Sequence, residues 1–450
     1  MAKLFGTDGV RGLANSELTP EKAFQLGKAG AYVLTKHTHE APKILLGMDT
    51  RRSSPMLAAA LTAGMCSMGA SVYSAGVIPT PGVAYITRKS YDAGVMISAS
   101  HNPFEDNGIK FFSSKGYKLD DSIEDEIEAI IADGLDDLPR PTHDLVGEAF
   151  ADESALDRYV DFLLEVVGGG QSFRGMKIAL DCANGATCES ATRVFEAMGA
   201  DLHILHDKPD GININHDCGS THMGSLVRYV TENGLDIGIA FDGDGDRCLF
   251  VDGNGKLVDG DETLSICANY LLERGKLAKD TIVATVMSNL GMMLMGEKLG
   301  INILQTNVGD RYVLEEMLRG GYNLGGEQSG HVIFLDNSTT GDGILTALKL
   351  LSALAAWDKT LAQANSFMEV LPQVLVNAKV SNDKKYAYKD SDEICREIET
   401  LEKRFAGEGR VLIRPSGTEP KVRVMIEGRN QPEIEAEAKR IAALIEKLLG

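Results

Sequence analysis

Short apolar runs alternate with helical patterns along most of the chain, and this alternation constrains the fold more than any other feature. The sequence predicts strands over 43–47, 93–97, 177–181, 237–241 and 281–286, with helices over 55–68, 187–198, 223–234 and 262–274. Such alternation indicates α/β units with parallel or mixed sheets. The segment 370–450 instead predicts strand, helix, strand, strand, helix, which is typical of a small α+β domain.

The length and charge of the chain narrow the classes of function. With 450 residues the chain is expected to hold roughly three or four domains. A formal net charge of −20 argues against nucleic acid or an anionic membrane as a partner, because phosphate backbones require a basic surface. A small anionic substrate is still compatible with this charge, provided that a local cluster of Arg, Lys and backbone N–H groups meets it.

The seven cysteines are scattered and include no C-x-x-C pair, so neither a disulfide framework nor a zinc site is predicted. The opening MAKLFGTDGVRG lacks the apolar core of a signal peptide. The most apolar helical stretch, 347–357, is far shorter than the ~20 residues that span a membrane. A cytoplasmic protein without a membrane partner is expected.

An acidic loop, DGDGDR, follows the predicted strand 237–241. Its carboxylates at Asp242, Asp244 and Asp246 can converge on one hard cation, because the intervening glycines allow the backbone to turn tightly. A plain Asp-Gly turn is the alternative, but three crowded carboxylates repel one another. The calcium-loop pattern is excluded because the glycine it needs at its sixth position is Arg247 here. We predict a divalent metal, with Mg²⁺ favoured by the hard oxygen ligands.

A second polar loop, RPSGTEP, precedes a further arginine near the end of the chain. The hydroxyls of Ser416 and Thr418, the backbone N–H groups around Gly417, and the guanidinium groups of Arg414 and Arg423 suit a dianionic phosphate. Taken alone, the loop could equally be a turn between strands. The loop GEQSGH offers Glu327 and Ser329 to sugar hydroxyls, although by itself it is better explained as a glycine-rich turn.

The loop SASHNP places Ser100 directly before His101. A hydrolase nucleophile is disfavoured, because no G-x-S-x-G elbow surrounds the serine and adjacent residues seldom orient as nucleophile and base. A turn hydroxyl near Pro103 is the plain alternative. A phosphorylated serine would carry about two negative charges and need a metal and cations. The candidates for that environment are Asp242, Asp244, Asp246, Arg247, Arg11, His101 and Lys110.

Four motifs occur in one order, about one in each predicted domain: ASHNP at 99–103, DGDGDR at 242–247, GEQSGH at 326–331 and RPSGTEP at 414–420. In this order, and over essentially the whole chain, they resemble the α-D-phosphohexomutase superfamily. The resemblance implies three related α/β domains with mixed sheets and a smaller C-terminal α+β domain around a central cleft. The domains implied are 1–150, 151–254, 255–368 and 369–450.

Two further stretches, 4–12 and 308–312, are similar to the branch of the superfamily that acts on glucosamine phosphates. The resemblance implies an isomerase-class phosphotransferase that interconverts glucosamine 6-phosphate and glucosamine 1-phosphate through phosphorylated Ser100 and glucosamine 1,6-bisphosphate. Its product would supply UDP-N-acetylglucosamine and peptidoglycan synthesis. The implied cofactors are one Mg²⁺ per active site and glucosamine or glucose 1,6-bisphosphate as activator.

The resemblance also implies a role for each candidate residue. The catalytic set is Ser100, Lys110, His101, Arg247 and His331, with Lys110 as general base or acid if its pKa is lowered. The substrate-binding set is Arg11, Gly309, Asp310, Glu327, Ser329, Arg414, Ser416, Gly417, Thr418 and Arg423. The metal ligands are phosphorylated Ser100, Asp242, Asp244 and Asp246.

Two other functions remain open at this point. A phosphomannomutase or phosphoglucomutase would use the same chemistry on a sugar that differs at its 2-position. A metal-dependent sugar phosphatase would need water at the phosphoenzyme and would not need the loop at 414–418. In each case the expected partner is a small sugar phosphate, with no nucleic acid; a homodimer is also left open.

Overall fold

The computed structural model describes residues 4–6, 8–36, 42–168, 171–405, 407–416 and 420–450. The first ten elements are β1 (Val10–Leu13), α1 (Pro20–Thr35), β2 (Lys43–Met48), α2 (Ser54–Cys66), β3 (Ser71–Val77), α3 (Thr80–Ser90), β4 (Ala93–Ile97), β5 (Asp106–Ser113), α4 (Asp121–Ala132) and β6 (Ala149–Ala151). The next eight are α5 (Ala155–Val167), β7 (Lys177–Asp181), α6 (Cys188–Ala197), β8 (Asp201–Leu205), α7 (Gly224–Asn233), β9 (Ile237–Phe241), β10 (Cys248–Asp252) and β11 (Leu257–Val258).

The second half of the chain continues the alternation. Its first nine elements are α8 (Gly260–Leu272), β12 (Thr281–Thr285), α9 (Leu290–Leu299), β13 (Asn302–Thr306), α10 (Asp310–Gly320), β14 (Leu324–Gly326), β15 (Val332–Phe334), α11 (Gly343–Trp357) and α12 (Leu361–Ala364). The last five are β16 (Gln373–Lys379), α13 (Asp392–Phe405), β17 (Gly409–Pro415), β18 (Lys421–Gly428) and α14 (Gln431–Leu449). The five strands and four helices predicted from the alternating pattern are confirmed to within two residues at each end, whereas the apolar helix predicted over 347–357 begins four residues earlier, at Gly343.

The described strands form four sheets, whose orders are β1-β5-β4-β2-β3-β6, β11-β10-β9-β7-β8, β13-β12-β14-β15 and β16-β18-β17. The first three are mixed: β2 runs parallel to β3 and β4, for example, whereas β5 runs antiparallel to β4. The last sheet is antiparallel. The predicted fold class is therefore confirmed. The first sheet extends through Ala151 and the second through Val258, slightly beyond the ranges predicted for their domains.

The chain divides into two compact units. The larger unit comprises Met1–Val286 and Leu304–Ser366, and the C-terminal unit comprises Met287–Ile303 and Phe367–Gly450. The C-terminal unit has its own core, in which the antiparallel sheet packs against α13 and α14 through residues such as Val424, Ile426 and Ile441. Within the described residues, no helix is both long and apolar enough to cross a membrane.

Two strands of the larger unit, β4 and β9, lead into the loops that carry the predicted site residues. Every residue of β4 and of β9 is buried, as their uninterrupted apolar sequences require. Each strand turns back into an antiparallel neighbour, β4 into β5 and β9 into β10. The loops between these strand pairs therefore start in the interior, and the residues at their beginning, 98–100 and 242–246, are buried.

Candidate active site

The loop between β4 and β5 carries the serine singled out from the sequence. Ser100 is 1% exposed and has a φ of 53°, a left-handed conformation that non-glycine residues seldom adopt. Its Oγ donates a hydrogen bond to Asp242 Oδ2 at 2.6 Å and lies 3.4 Å from His101 Nδ1. The tertiary structure thus joins the serine of one domain to the acidic loop of the next.

A fully buried arginine holds this loop in place. The Arg51 guanidinium donates to the backbone carbonyl oxygens of Ser100, Asn102, Pro103 and Asp106. Its Nε also lies 2.8 Å from a carboxylate oxygen of Asp49, which balances the buried charge. Planar donors in a fixed fork suit this task, and a lysine could not replace them all. The loop is therefore preorganised by groups that do not touch Ser100 Oγ.

The acidic loop between β9 and β10 is built for close approach. Ligand oxygens of Asp242, Asp244 and Asp246 lie within 4.8 Å of one another, and all three residues are buried. A Cβ at Gly243 would lie 2.6 Å from Ser100 O, and one at Gly245, where φ is 72°, would lie 2.4 Å from a methyl of Thr187. Only glycine fits at these two positions.

The acidic triad has the properties of a cation site. Asp244 Oδ1 and Asp246 Oδ1 are buried and accept no hydrogen bond from any described residue. Burial, followed by the negative charges of Asp246 and Asp244, raises the pKa of Asp242 well above its ordinary value. A hard divalent cation binds carboxylate oxygens and removes the repulsion between them. The buried oxygens of this triad that lack a partner therefore fit the predicted Mg²⁺.

Lys110, on β5, lies among these carboxylates. Its Nζ is 3.0 Å from Asp244 Oδ2, 3.2 Å from Asp8 Oδ2 and 3.9 Å from Asp246 Oδ2. Burial alone would lower the pKa of Lys110, but the three aspartates outweigh it and raise the pKa. A role of Lys110 as a general base would require a lowered pKa. In this arrangement the lysine is held as an ammonium instead.

The other predicted cationic residues surround the same serine. Burial, together with the nearby Arg247 and Arg11, lowers the pKa of His101 to about 4, so its imidazole is neutral at neutral pH. The Nε atoms of Arg247 and of Arg11 are buried without a hydrogen-bond partner among the described residues. Arg11 also forms an ion pair with Asp8. Unused guanidinium donors beside a serine suit a phosphoryl group.

The GEQSGH loop connects β14 to β15. Glu327 Oε1 accepts a hydrogen bond from the backbone N–H of Gly309 at 3.0 Å, which brings two predicted substrate-binding residues together. Ser329 Oγ is buried and has no hydrogen-bond partner among the described residues. Its hydroxyl is available to a ligand, as a sugar-binding role requires.

His331, at the end of that loop, connects to the acidic triad. Its Nδ1 is 3.6 Å from Asp246 Oδ2 and its Nε2 is 3.6 Å from Asp310 Oδ2. The backbone N–H of Gly341 donates to Nε2 at 3.0 Å, which assigns the ring proton to Nδ1, on the side of Asp246. His331 therefore lies between Asp246 of the triad and Asp310. Asp310, which the sequence predicted to bind substrate, is thus part of a network of charged groups.

Lys118 was missed by sequence reasoning. Its ammonium donates to Asp8 Oδ1 at 2.6 Å and to Asp310 Oδ2, and so links three separate stretches of the larger unit. Burial opposes its charge, but Asp310 and Asp8 outweigh burial and raise its pKa well above the ordinary value. No local pattern marks a single lysine in a turn. Asp8 could have been noticed, because it precedes Arg11 in a glycine-rich opening.

In the C-terminal unit, the predicted phosphate loop joins β17 to β18. Arg414 and Arg423 are directly opposite each other across this antiparallel pair. Burial and the neighbouring Arg423 both lower the pKa of Arg414. Ser416 is buried, and its N–H donates to Lys421 O at 2.9 Å. The predicted residues Gly417 and Thr418 lie outside the described residues.

Comparisons with known proteins agree with this organisation. Four models of the phosphoglucomutase/phosphomannomutase family match the chain: alpha/beta/alpha domain I over residues 2–136, domain II over 157–255, domain III over 259–371 and the C-terminal domain over 375–444. The chain is 58% identical over 451 residues to the phosphoglucosamine mutase of Ruminiclostridium cellulolyticum, and 56% identical over 451 residues to that of Acetivibrio thermocellus. Both matches cover 100% of this chain and of the relative.

Solved structures share the fold at low sequence identity. A phosphoglucomutase/phosphomannomutase family protein from Burkholderia thailandensis matches with a TM-score of 0.81 and 24% identity, over 99% of this chain and 98% of that one. Aspergillus fumigatus N-acetylphosphoglucosamine mutase, solved in complex with GlcNAc-6P and magnesium, matches with a TM-score of 0.70 and 18% identity, over 99% and 96% of the two chains.

Proposed function

The chain belongs to the phosphoglucomutase/phosphomannomutase family, and from that premise we propose that it interconverts glucosamine 6-phosphate and glucosamine 1-phosphate through phosphorylated Ser100. Its full-length relatives are phosphoglucosamine mutases, so the reaction is an isomerase-class phosphoryl transfer. One observation carries the serine assignment: the buried Ser100 Oγ lies 2.6 Å from a carboxylate of the acidic triad. A hydroxyl in that position gains a function only when it carries a phosphoryl group.

The reaction balances as two transfers. In the first, the bond between phosphorus and Ser100 Oγ breaks while a bond forms to the 1-hydroxyl oxygen of glucosamine 6-phosphate, whose proton leaves to a base. The serine oxygen takes up a proton, and glucosamine 1,6-bisphosphate results. The sugar then turns over, and the bond between its 6-oxygen and phosphorus breaks while a bond forms from Ser100 Oγ to that phosphorus. The proton of the serine hydroxyl leaves, the 6-oxygen takes up a proton, and glucosamine 1-phosphate remains. Positioning and charge neutralisation supply most of the catalysis in such transfers.

Asp242, Asp244 and Asp246 would hold the magnesium ion, together with an oxygen of the phosphorylated serine. Support comes from the unpartnered oxygens of the triad and from the fungal relative that was solved with magnesium. A bound Mg²⁺ neutralises charge on the phosphoryl oxygens. Arg247 and Arg11 offer their unused Nε donors to the same group.

Lys110 couples metal binding to proton transfer. The aspartates that raise its pKa are the proposed metal ligands Asp244 and Asp246, joined by Asp8. A dication held by the triad would offset their negative charge and would so lower the pKa of Lys110 towards the range that a general base or acid needs. The role of Lys110 thus depends on whether the metal site is filled.

The remaining predicted residues bind substrate. Glu327 and Ser329 grip sugar hydroxyls, supported by the unpartnered Ser329 Oγ. In the C-terminal unit, Arg414 and Arg423 with Ser416, Gly417 and Thr418 bind a phosphate group. Glucosamine or glucose 1,6-bisphosphate primes the enzyme by giving one phosphoryl group to Ser100.

The cellular setting follows from the same chemistry. We assign the reaction to the cytoplasm, where it supplies UDP-N-acetylglucosamine and peptidoglycan synthesis. In support, none of the seven cysteines, all of which lie among the described residues, forms a disulfide. The division into domains at 150, 254 and 368 and the homodimer stay predictions.

Substrate preference is the decisive test. The phosphorylated enzyme is assayed with glucosamine, mannose and glucose 6-phosphates, and kcat/KM is expected to be highest for glucosamine 6-phosphate. A tenfold preference for either other sugar would assign the chain to the phosphomannomutase or phosphoglucomutase alternative. Release of free phosphate at the rate of sugar turnover would favour the phosphatase.

The serine is tested separately. Ser100→Ala is expected to abolish turnover and the incorporation of phosphate from a hexose 1,6-bisphosphate, while the fold remains intact by circular dichroism. Ser114→Ala, an exposed serine in the turn after β5, serves as the matched control and keeps both properties. Phosphate incorporation at the normal level in Ser100→Ala would contradict the mechanism.

A further inference from the structure

A second group of potential metal ligands lies in the larger unit, outside the acidic triad. Asp181 ends β7, His206 directly follows β8, and Cys218 lies in the loop that leads to α7. β7 and β8 are parallel neighbours, so Asp181 and His206 emerge at the same edge of the sheet. Ligands bind outside the carboxyl ends of parallel strands in many α/β proteins.

The ligand atoms of these three residues converge. One atom of each lies within 4.8 Å of the others, and His206 Nδ1 is 3.0 Å from Asp181 Oδ1. Around a tetrahedral zinc ion, ligand atoms are about 3.3–3.8 Å apart, so shifts of about 1 Å would close the group on an ion. Cys188, whose Sγ lies 3.9 Å from His206 O, is beside the group and could supply a fourth ligand.

The backbone around the cluster is unusual. Five non-glycine residues of these loops have positive φ angles between 48° and 59°: Ala183, Asn184, His206, Asn215 and Asp217. Such conformations cost free energy and persist only where the surroundings impose them. Backbone N–H groups of Ala183 and Gly219 each donate to one oxygen of Asp181, which fixes the carboxylate and leaves further lone pairs for a ligand.

We propose that Asp181, His206 and Cys218 form a second metal site, specific for a borderline-soft divalent ion such as Zn²⁺. A thiol, an imidazole and a carboxylate are the ligands of zinc, whereas the acidic triad offers only the oxygens that Mg²⁺ prefers. The two sites would thus select different ions, because their ligands differ in softness. Cys218 releases its proton to solvent as the ion binds.

A reactive or redox-sensing cysteine is a poorer explanation. Reactive cysteines are at least partly exposed, whereas the Cys218 side chain is fully buried. An ion pair between Asp181 and protonated His206 would explain those two residues, but it leaves Cys218 only a weak contact with the Asn184 amide at 3.9 Å.

The site braces the catalytic serine loop. Asn184 N donates to His206 O at 2.7 Å, and Asn215 N donates to Ala183 O at 3.0 Å. The Asn215 amide in turn donates to the carbonyl oxygens of Ser100 at 2.9 Å and Asn102 at 3.0 Å. An ion that joins Asp181, His206 and Cys218 therefore stiffens the support of Ser100.

Cobalt titration of the full-length protein, in saturating Mg²⁺, tests the proposal. We expect one equivalent of Co²⁺ to bind with a thiolate-to-cobalt charge-transfer band, and Zn²⁺ to displace it and raise Tm. Cys218→Ser is expected to remove the contribution of its own thiolate to the band, and Cys218→Ser/Cys188→Ser is expected to abolish the band. Asp246→Asn, which removes a ligand of the magnesium site, keeps the band although turnover falls, so this proposal and the proposed function can fail separately.

Two further variants complete the design. Cys395→Ser, in α13, controls for thiols elsewhere and leaves the titration unchanged. His206→Ala should weaken Co²⁺ binding at least about tenfold, and it decides the question if Cys218→Ser does not fold. Absence of the band in the unaltered protein, or unchanged affinity in His206→Ala, would overturn the proposal.

Discussion

The two regions that we propose to bind phosphoryl groups differ in how their charges are arranged. In the larger unit, Lys110 and Lys118 are each paired with at least two buried or half-buried carboxylates. In the C-terminal unit, Arg414 faces Arg423 directly across β17 and β18, and this like charge lowers the pKa of Arg414. In the first region, opposite charges lie next to one another and stabilise the fold. In the second, two like charges lie next to one another, an arrangement that favours a bound anion.

Because of this difference, the two regions suit different parts of the proposed reaction, namely phosphoryl transfer and phosphate binding. A network whose charges are already balanced stays in place while a phosphoryl group reacts beside it, which is what preorganised catalysis requires. Two adjacent guanidinium groups repel each other, and a bound anion reduces that repulsion. Substitutions in the first region should therefore damage stability, and those in the second should damage binding.

The largest expected effect is on the lysine network. Lys118→Met leaves Asp8 and Asp310 without their shared ammonium. Because these side chains are 17–24% exposed, we expect a cost of about 3 kcal/mol, the lower end of the range for buried pairs. The free energy of unfolding in urea measures this cost. Lys115→Met, an exposed neighbour, should change it by less than about 0.5 kcal/mol.

A double variant sharpens this prediction. In Lys118→Met/Asp310→Asn the surplus carboxylate is neutralised, while Asp8 keeps Lys110 and Arg11. The double variant should recover more than half of the stability lost in Lys118→Met. If it is as unstable as the single variant, Lys118 acts through packing and the contrast between the regions fails.

The next effect concerns the arginine pair. Arg414→Ala removes a charged donor but also a repulsion, so KM should rise about ten- to a hundredfold while the free energy of unfolding changes by less than about 0.5 kcal/mol. Steady-state kinetics and urea unfolding give the two values. Arg404→Ala controls for loss of an arginine in the same unit, since Arg404 is paired with Glu433 and Glu437. Equal rises of KM in both variants would contradict a phosphate-binding role.

The last prediction concerns a carboxyl group that is buried without a counter-charge. Asp342, at the start of α11, accepts hydrogen bonds from Leu345 N and the Tyr159 hydroxyl, and burial raises its pKa to about 7. Between pH of about 4, where the unfolded state loses this proton, and about 7 the folded state retains it, so stability falls by up to about 1.4 kcal/mol per pH unit. Above pH 7 the decline ends.

Asp342→Asn keeps a hydrogen-bond acceptor but cannot titrate. The fall in Tm between pH 5 and pH 8 should therefore be smaller in Asp342→Asn than in the unaltered protein. Identical pH profiles would show that Asp342 does not titrate in this range.

The sequence was most informative where one loop contains its own chemistry. DGDGDR predicts a cation site because three carboxylates at alternate positions repel one another unless a cation lies between them. The structure brings these carboxylates together as expected. Ser100 could be related to that loop only through a chemical argument about phosphate, since 142 residues separate it from Asp242. Lys118 carried no local signal, because its partners Asp8 and Asp310 are 110 and 192 residues away.

The sequence by itself determined the class of fold, the order of the four loops and the kind of group that each is proposed to bind, because periodicity and local composition are properties of short segments. Only the tertiary structure decided the charge state of Lys110, the link through Lys118 and the meeting of Asp181, His206 and Cys218. These depend on distances between residues far apart in the chain. Electrostatic energies at such sites change with each ångström and with burial, and neither quantity is written in a local pattern.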